Sequence, residues 1–248
     1  MDRLRAVFVD VHSHVVPSGD DGVATVEDGL DLCREARSRG TVRLFATPHV
    51  WPHFPLDQTR EERVRAAHGR MAAQATGFGL SLELGFELTP APPLLDEDPA
   101  RYRLGSLDAV LMEVPFHGSL ALTERLAEHI EDAGLVPVIA HPERAEAVLA
   151  EPGLAHGLAE RGWLLQLNAT SIVGYHGPEA AQIAWRLVEE GSAALVGSDG
   201  HRAARPPFLD EAYAAVAARV GEDAARPLFD GTALPLPSAD SFDLAQRR

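Results

Sequence analysis

Short apolar runs rich in valine, leucine and phenylalanine recur about seven times along this chain, and between them lie segments whose apolar positions return every three to four residues. The first kind includes residues 6–14 (AVFVDVHSH), 43–49 (RLFATPH), 80–87 (LSLELGFE), 109–115 (AVLMEVP), 135–141 (LVPVIAH) and 193–201 (AALVGSDGH). The second kind includes residues 26–40, 61–76, 122–134, 178–191 and 208–221. Strands alternating with helices predict βα units around a parallel sheet. Thr25 with Asp28, ahead of the Leu30, Cys33 and Ala36 stripe, reads as a helix start and Gly40 as its stop, and the same pattern repeats from Thr123 to Gly134. Residues 89–106 (TPAPPLLDEDPARYRLGS) lack periodicity and read as a loop with one short turn, overhanging the end of the preceding strand. Residues 230–248 read as a packed extension with a frayed end, the extension or tail covering about 232–248.

The strand-like runs share a second feature: nearly every one ends in a residue able to hold a metal. The endings are His12 and His14, His49, Glu87, Glu113, His141, and Asp199 with His201. In a barrel of parallel strands all C-terminal ends meet on one rim, where such barrels carry their chemistry. Residues two apart on a strand share a face, so His12 and His14 project together with Asp10 behind them, and Asp199 and His201 reach one pocket. Glu83 and Glu87 also share a face, but only Glu87 reaches the strand end. Glu113, in an otherwise apolar strand, requires a metal or an arginine as partner. Carboxylates mixed with imidazoles suit manganese, iron or zinc rather than calcium. Arg144, three residues past His141, is a phosphate clamp or else a surface partner of Glu143 or Glu146, and Arg205 is a second phosphate candidate. His68, His129 and His156 fall on helical patterns and read as solvated, whereas His53, His117 and His176 sit in loops that line the cleft without being ligands.

Composition narrows the chemistry. A length of 248 residues with 46% hydrophobic content suits one domain, and a net charge of −15 disfavours nucleic acid as a partner. The single cysteine excludes an internal disulfide and a multi-cysteine zinc site, and a reducing cytoplasm is the expected location. The apolar run at the start is too short for a signal peptide, and no run reaches membrane-spanning length. All basic residues other than histidine are arginines, so Schiff-base chemistry, a P-loop lysine and a carbamylated-lysine metal bridge are excluded. That last absence removes the amidohydrolase barrels bridged in that way. Cys33 and Arg39 have the C-x5-R spacing of cysteine-dependent tyrosine phosphatases, but Cys33 lies on a helical stripe with no glycine-rich loop before Arg39, so it reads as a buried helix residue.

The motifs D-V-H-S-H at 10–14, A-T-P-H at 46–49, G-F-E at 85–87, A-H-P-E-R at 140–144 and S-D-G-H at 198–201 resemble, in order, those of the PHP (polymerase and histidinol phosphatase) superfamily of metal-dependent phosphoesterases. D-D-G at 20–22, M-E-V-P at 112–115 and R-P-P-F at 205–208 further resemble the bacterial manganese-dependent protein-tyrosine phosphatases of capsule and exopolysaccharide synthesis. The resemblance implies an α/β fold, a distorted (β/α)7 TIM-like barrel of a single domain, with three divalent ions, manganese favoured and iron or zinc as alternatives. By position, His12, His14, Glu87 and Asp199 would hold one ion, Glu87, Glu113 and His141 a second, and Asp21, His49 and His201 a third. Arg144 and Arg205 would grip phosphate while a metal-bridging hydroxide attacks phosphorus. The implied substrate is a phosphotyrosine protein, a bacterial tyrosine kinase being one candidate, in a protein that is not integral to a membrane and whose oligomeric state is open. Alternatives are a histidinol-phosphate or other small-molecule phosphatase, and a metal-binding regulatory module without catalysis.

Overall fold

The computed structural model describes residues 7–235. Its first half comprises β1 (Phe8–Ser13), α1 (Val26–Ser38), β2 (Thr41–Ala46), β3 (His49–Val50), α2 (Gln58–Thr76), β4 (Ser81–Leu84), β5 (Glu87–Leu88), β6 (Ala109–Glu113) and α3 (Ala121–Asp132). The second half comprises β7 (Val136–Ala140), α4 (Glu146–Ala150), α5 (Gly153–Glu160), β8 (Leu164–Asn168), α6 (Ala169–Ile172), α7 (Pro178–Glu189), β9 (Ala193–Gly197), α8 (Asp210–Val220) and α9 (Glu222–Phe229). Every strand pairing is parallel, in the orders β1-β2-β4 and β3-β5-β6-β7-β8-β9.

Two strand positions are each broken in two, so the expected runs become paired segments. Pro48 has no amide to donate where β2 gives way to β3. Gly85 separates β4 from β5, and a Cβ there would lie 2.6 Å from Leu104 Cδ2 and 3.2 Å from Leu104 Cα, so glycine lets the two segments approach closely. Hydrogen bonds from Gly85 N to Ala46 O (2.8 Å) and from Glu87 N to Pro48 O (3.2 Å) carry the ladder across both breaks. The remaining gap, between β1 and β9, is spanned at its C-terminal end by a parallel bridge of Ser13 with Gly200. His14 N donates to Gly200 O (2.7 Å) and Asp199 N to His12 O (2.9 Å) across the same gap. The distorted α/β barrel is therefore held together by a short seam rather than by one continuous ladder.

Thr25 caps α1 as expected: its hydroxyl accepts from Asp28 N at 3.1 Å and donates to the Asp28 carboxylate at 2.7 Å. Thr123 does not repeat the pattern. Helix α3 begins at Ala121 without a side-chain cap, and Thr123 is buried within it beside the Leu126, Ala127 and Ile130 stripe. Burial of that stripe decides where the helix lies, which local capping cannot override.

Residues 89–106 hold more structure than the expected overhanging loop with one short turn. They form two 3-10 turns, at Pro92–Asp96 and Pro99–Tyr102. The segment is packed rather than free because Tyr102 and Leu104 are fully buried and Arg101 bonds the Glu61 carboxylate of α2 at 2.6 Å. Leu104 and Leu107 belong to a smaller core with Val11, Phe45, Ala109, Leu111, Val138, Ala140 and Leu195. Ala109 and Leu111 share a face of β6 with Glu113, which places this core directly beneath the C-terminal rim. Leu234 joins it, so the start of the expected C-terminal extension is packed, while residues 236–248 lie outside the described residues. The larger core lies between strands and helices and includes Cys33, Leu44, Met112, Ile139 and Val196. The rim thus rests on two packed layers that hold the strand ends rigidly.

Candidate metal centre

The structure brings His12, His14, Asp21, His49, Glu87, Glu113, His141, Asp199 and His201 together on the rim. Glu87, fully buried at the start of β5, lies at the centre. Its Oε2 is 3.1 Å from His12 Nε2, 3.3 Å from His14 Nε2 and 3.0 Å from His49 Nδ1, while Oε1 is 3.0 Å from His141 Nε2. Asp199 Oδ1 is 3.4 Å from His12 Nε2, His14 Nε2 and His201 Nδ1. Asp21, half-exposed at the mouth, reaches His49 Nε2 (3.5 Å) and His201 Nε2 (3.3 Å). Donor atoms gather within 4.8 Å of one another in four groups: His14, Asp21, His49 and His201; His12, His14 and Glu87; His12, His141 and Asp199; and Glu87, Glu113 and His141. The last is the second set implied by the resemblance, and the first adds His14 to the third.

Several of these contacts have ion-shell spacing without hydrogen-bond geometry. Glu87 Oε2, His14 Nδ1 and His49 Nδ1 are buried and make no hydrogen bond among the described residues, despite neighbours at 3.0–3.6 Å. Metal bonds of about 2.0–2.2 Å set adjacent donors about 2.9–3.5 Å apart in tetrahedral or octahedral shells, the spacing found here. The charges agree. Four carboxylates, those of Asp21, Glu87, Glu113 and Asp199, face only two guanidiniums, those of Arg144 and Arg205, so cations are needed to offset the rest. The donor set therefore fits divalent ions.

Protonation shows the same demand. Burial pushes the Glu87 carboxyl up, but His12 and His49 outweigh it and hold the group well below the usual carboxylate range. Asp199 is likewise held low by His12 and His14 against the effect of burial. Burial disfavours the charged form of His14, yet Asp199, Asp20 and Glu87 raise its pKa well above the ordinary value. His201 is pushed down to about 4, first by burial and then by His14. Glu113 is raised by burial and by the neighbouring Glu87 charge. Protons and metal ions would compete for this carboxylate–imidazole cluster.

Backbone strain concentrates at the same place. His141 (φ 37°) and Asp199 (φ 52°) are the two non-glycine residues in the left-handed region among the described residues. Each lies at a strand exit, where the turn aims the side chain back into the rim. Gly22 of the D-D-G motif has a different role: a Cβ there would lie 2.5 Å from His14 O, so glycine lets the loop bearing Asp21 press against β1.

Arg144 does not make the surface pair considered for it. Its Nη1 bonds Asp199 Oδ2 at 3.1 Å, and Arg205 Nη2 approaches Asp199 Oδ1 at 3.3 Å and also contacts the His201 ring. The two guanidiniums flank one carboxylate at the edge of the donor cluster, partly exposed to the cleft.

Other residues of the site escaped the sequence reading. Gln166 Oε1 takes a hydrogen bond from His12 Nδ1 at 2.7 Å, leaving Nε2 free to face the cluster, and Asn168 Nδ2 donates to Asp199 Oδ2 at 2.9 Å. Both lie on β8, in the run LLQLN, and their two-residue spacing is the available signal. Glu143 is buried rather than superficial, accepting from Asn168 N (3.0 Å) and Ser171 Oγ (2.6 Å). Asp20 accepts from His49 N at 3.0 Å and fixes the loop that carries Asp21. Asp10, behind His12 as expected, accepts from Ser198 N at 2.9 Å, and burial raises its pKa to about 6. His156 is solvated as expected, but His68 and His129 are half-buried and bond the Leu82 and Glu97 carbonyls. Cys33 is fully buried in α1, and burial pushes its thiol up to about 12.

Known proteins resemble this chain over most of its length. A family model described as capsular polysaccharide synthesis, CpsB/CapC, matches residues 8–234. The tyrosine-protein phosphatase YwqE of Bacillus subtilis is 29% identical over 206 residues, covering 78% of this chain and 77% of the relative. CpsB of Streptococcus pneumoniae, named a tyrosine-protein phosphatase, is 26% identical over 232 residues, covering 90% and 95% respectively. Crystal structures of YwqE and of S. pneumoniae CpsB are described as unique metal-dependent tyrosine phosphatases; the matched chain has a TM-score of 0.79 at 26% identity, with 89% of this chain and 90% of that one covered. A β-aspartyl dipeptidase from Fervidobacterium islandicum shares the fold at a TM-score of 0.52 and 13% identity.

Proposed function

The chain belongs to the CpsB/CapC family of capsular polysaccharide synthesis, and on that premise we propose that it is a metal-dependent phosphoric monoester hydrolase removing phosphate from protein phosphotyrosine. The observation that carries this reading is the convergence of four imidazoles on the two oxygens of one buried carboxylate, Glu87. His12, His14, Glu87 and Asp199 would hold one ion, Glu87, Glu113 and His141 a second, and Asp21, His49 and His201 a third; His14 is also close to the third group, and Asp199 gathers with His12 and His141. Three ions, manganese first among them, suit these nitrogen and oxygen donors. Bound ions would supply a water of lowered pKa and would offset charge on the phosphoryl oxygens.

The chain's own residues do the rest. Gln166 holds the His12 ring and Asn168 holds the Asp199 carboxylate, so donor directions are set before substrate arrives. Arg144 and Arg205 would exchange part of their contact with Asp199 for two substrate phosphate oxygens, orienting the ester. A phenol leaving group, with a pKa of about 10, departs without strong protonation, so this site has little need of a dedicated general acid. No helix among the described residues is long and apolar enough to cross a membrane. The reading is tested by metal analysis and by turnover of a phosphotyrosine peptide and of histidinol phosphate on the same preparation. Preference for the peptide supports it, preference for histidinol phosphate overturns the assigned substrate, and metal binding without turnover of either leaves a regulatory module.

Arg144→Ala or Arg205→Ala is expected to lower kcat/KM while metal content stays constant. Loss of one charge-assisted clamp costs about 1.5–3 kcal/mol, or roughly ten- to more than a hundredfold. Arg→Lys should rescue only in part, because an ammonium cannot make paired bonds to two phosphate oxygens. Unchanged inhibition by inorganic phosphate in both alanine variants would remove the clamp. Cys33→Ser should leave kcat/KM within about threefold of the parent, since an un-ionised thiol buried in the core between helix and strands cannot attack phosphorus. Collapse of turnover in a folded, metal-loaded Cys33→Ser protein would restore a thiolate mechanism.

A further inference from the structure

Beside Arg144 the rim opens into two adjoining cavities. The inner one, of about 310 Å³, is walled by Phe116, Arg144, His176 and Pro178 at the start of α7. The outer one, of about 550 Å³, lies between α4 and α7, with Glu146, Gln182 and Ile183 on its walls. Leu149 and Glu179 line both, so the two form one groove leading away from the phosphate-binding arginine.

The inner cavity is built from aromatic surface. The Arg144 guanidinium lies 4.6 Å above the Phe116 ring, and that ring runs nearly parallel to His141, at 5.8 Å and 17°. His176 is fixed by Ser171, whose hydroxyl lies 3.0 Å from Nδ1 and donates to the buried Glu143. Burial, then Arg144, lowers the His176 pKa to about 4, which leaves an uncharged ring at neutral pH. Three of the four exposed large hydrophobic side chains among the described residues, Phe116, Val173 and Tyr175, lie on the two loops that wall this cavity. Of these, Phe116 itself lines the cavity, and an exposed aromatic ring beside a charged site suits contact with a ligand. In the outer cavity the charge is acidic. Arg186, its one basic wall residue, is engaged by Glu190 at 2.8 Å, whereas Glu179 and Glu146, the latter 3.3 Å from His117 Nδ1, line the groove.

We propose that this groove is the polypeptide track of the enzyme: the phenyl ring of a phosphotyrosine lies in the inner cavity against Phe116 and His176, and a neighbouring basic residue of the same polypeptide lies in the outer cavity between Glu146 and Glu179. The inference rests on the phosphatase reading and adds which part of the substrate beyond phosphate is recognised. With phosphate held at Arg144, a phenyl ring must leave the ion cluster by the adjoining space, and the inner cavity offers an aromatic wall there. It is large enough for one ring and too small for a polypeptide, so the flanking residue enters the outer cavity.

The test compares p-nitrophenyl phosphate with two phosphotyrosine peptides, one with arginine and one with glutamate on both sides of the tyrosine, on metal-matched protein. The arginine peptide should have about tenfold higher kcat/KM than the glutamate peptide, and Glu146→Gln with Glu179→Gln should erase most of that difference. Gln182→Trp, which fills the outer cavity from an exposed position, should lower the ratio of peptide to p-nitrophenyl phosphate efficiency about tenfold, through KM. Phe116→Ala should lower kcat/KM for all three aryl substrates about tenfold without changing metal content. Equal efficiencies for the two peptides, or a peptide ratio unmoved by Gln182→Trp, would overturn the track even if turnover is brisk. Absence of turnover on every substrate would instead overturn the phosphatase reading. The track would then be judged by binding of the arginine peptide carrying a non-hydrolysable phosphonate, lost in Gln182→Trp if the groove is real and retained if it is not.

Discussion

Glu87→Gln is expected to release metal and to bring phosphatase turnover close to background, with circular dichroism and hydrodynamic size unchanged. The substitution keeps the volume of the side chain, so the packing of β5 against β3 and β6 should survive. What it removes is the charge at the point where His12, His14, His49 and His141 meet. One amide oxygen cannot serve two ions as a carboxylate can, and the amide nitrogen would present hydrogens to imidazole lone pairs. Loss of the ions that this residue would share would leave two buried carboxylates, Glu113 and Asp199, without their counter-charge, so the effect should exceed that of losing Glu113, which lies at one edge of the cluster. A Glu87→Gln protein with full metal content and full turnover would show that the centre of the cluster has been misassigned.

Chelation should have the second large effect, and it should appear in stability as well as in activity. Protein stripped by a chelator is expected to lose turnover, to melt at lower temperature, and to regain both on addition of manganese. A ligand that binds only the folded state adds about 2.7 kcal/mol per site when its free concentration is a hundred times the dissociation constant. The donors come from the ends of separate strands and are not assembled in an unfolded chain, so the condition of selective binding holds. Differential scanning calorimetry with and without metal provides the measurement. Turnover that survives complete removal of metal would end the metallophosphatase reading, whereas an unshifted melting temperature would show that the ions do not bind preferentially to the folded chain.

Much of the centre was legible because its residues obey simple periodic rules. His12 with His14, and Asp199 with His201, are two apart at strand ends, and a parallel barrel must deliver such ends to one rim. Glu87 and Glu113 stood out as carboxylates among apolar neighbours. Residues whose function depends on burial were harder to read. Glu143 sits in a sequence of charged residues, and only the fold shows that Asn168 and Ser171 hold it inside. Gln166 and Asn168 are amides, which pattern reading does not associate with metal sites, although their spacing repeats that of the histidines. In the segment from Thr89 to Ser106 the irregular chain is legible, but proline-rich composition hides the leucines and the tyrosine that pack it into the core. The helix around Thr123 is legible from its apolar stripe, but its start is not, because Thr123 belongs to the buried face rather than to the cap.

The short seam between Ser13 and Gly200 gives the site an order of assembly. Donors from the first strand meet those from the last only after every intervening βα unit has taken its place, and contacts of such long sequence separation form slowly. A nascent chain emerging from the ribosome therefore carries His12 and His14 for most of its synthesis without their partners Asp199 and His201. Metal capture by the complete cluster becomes a late event, coupled to ring closure. A chain truncated before Asp199 could fold many of its units and still never mature, and slowing the last units would delay activity more than it delays the appearance of secondary structure.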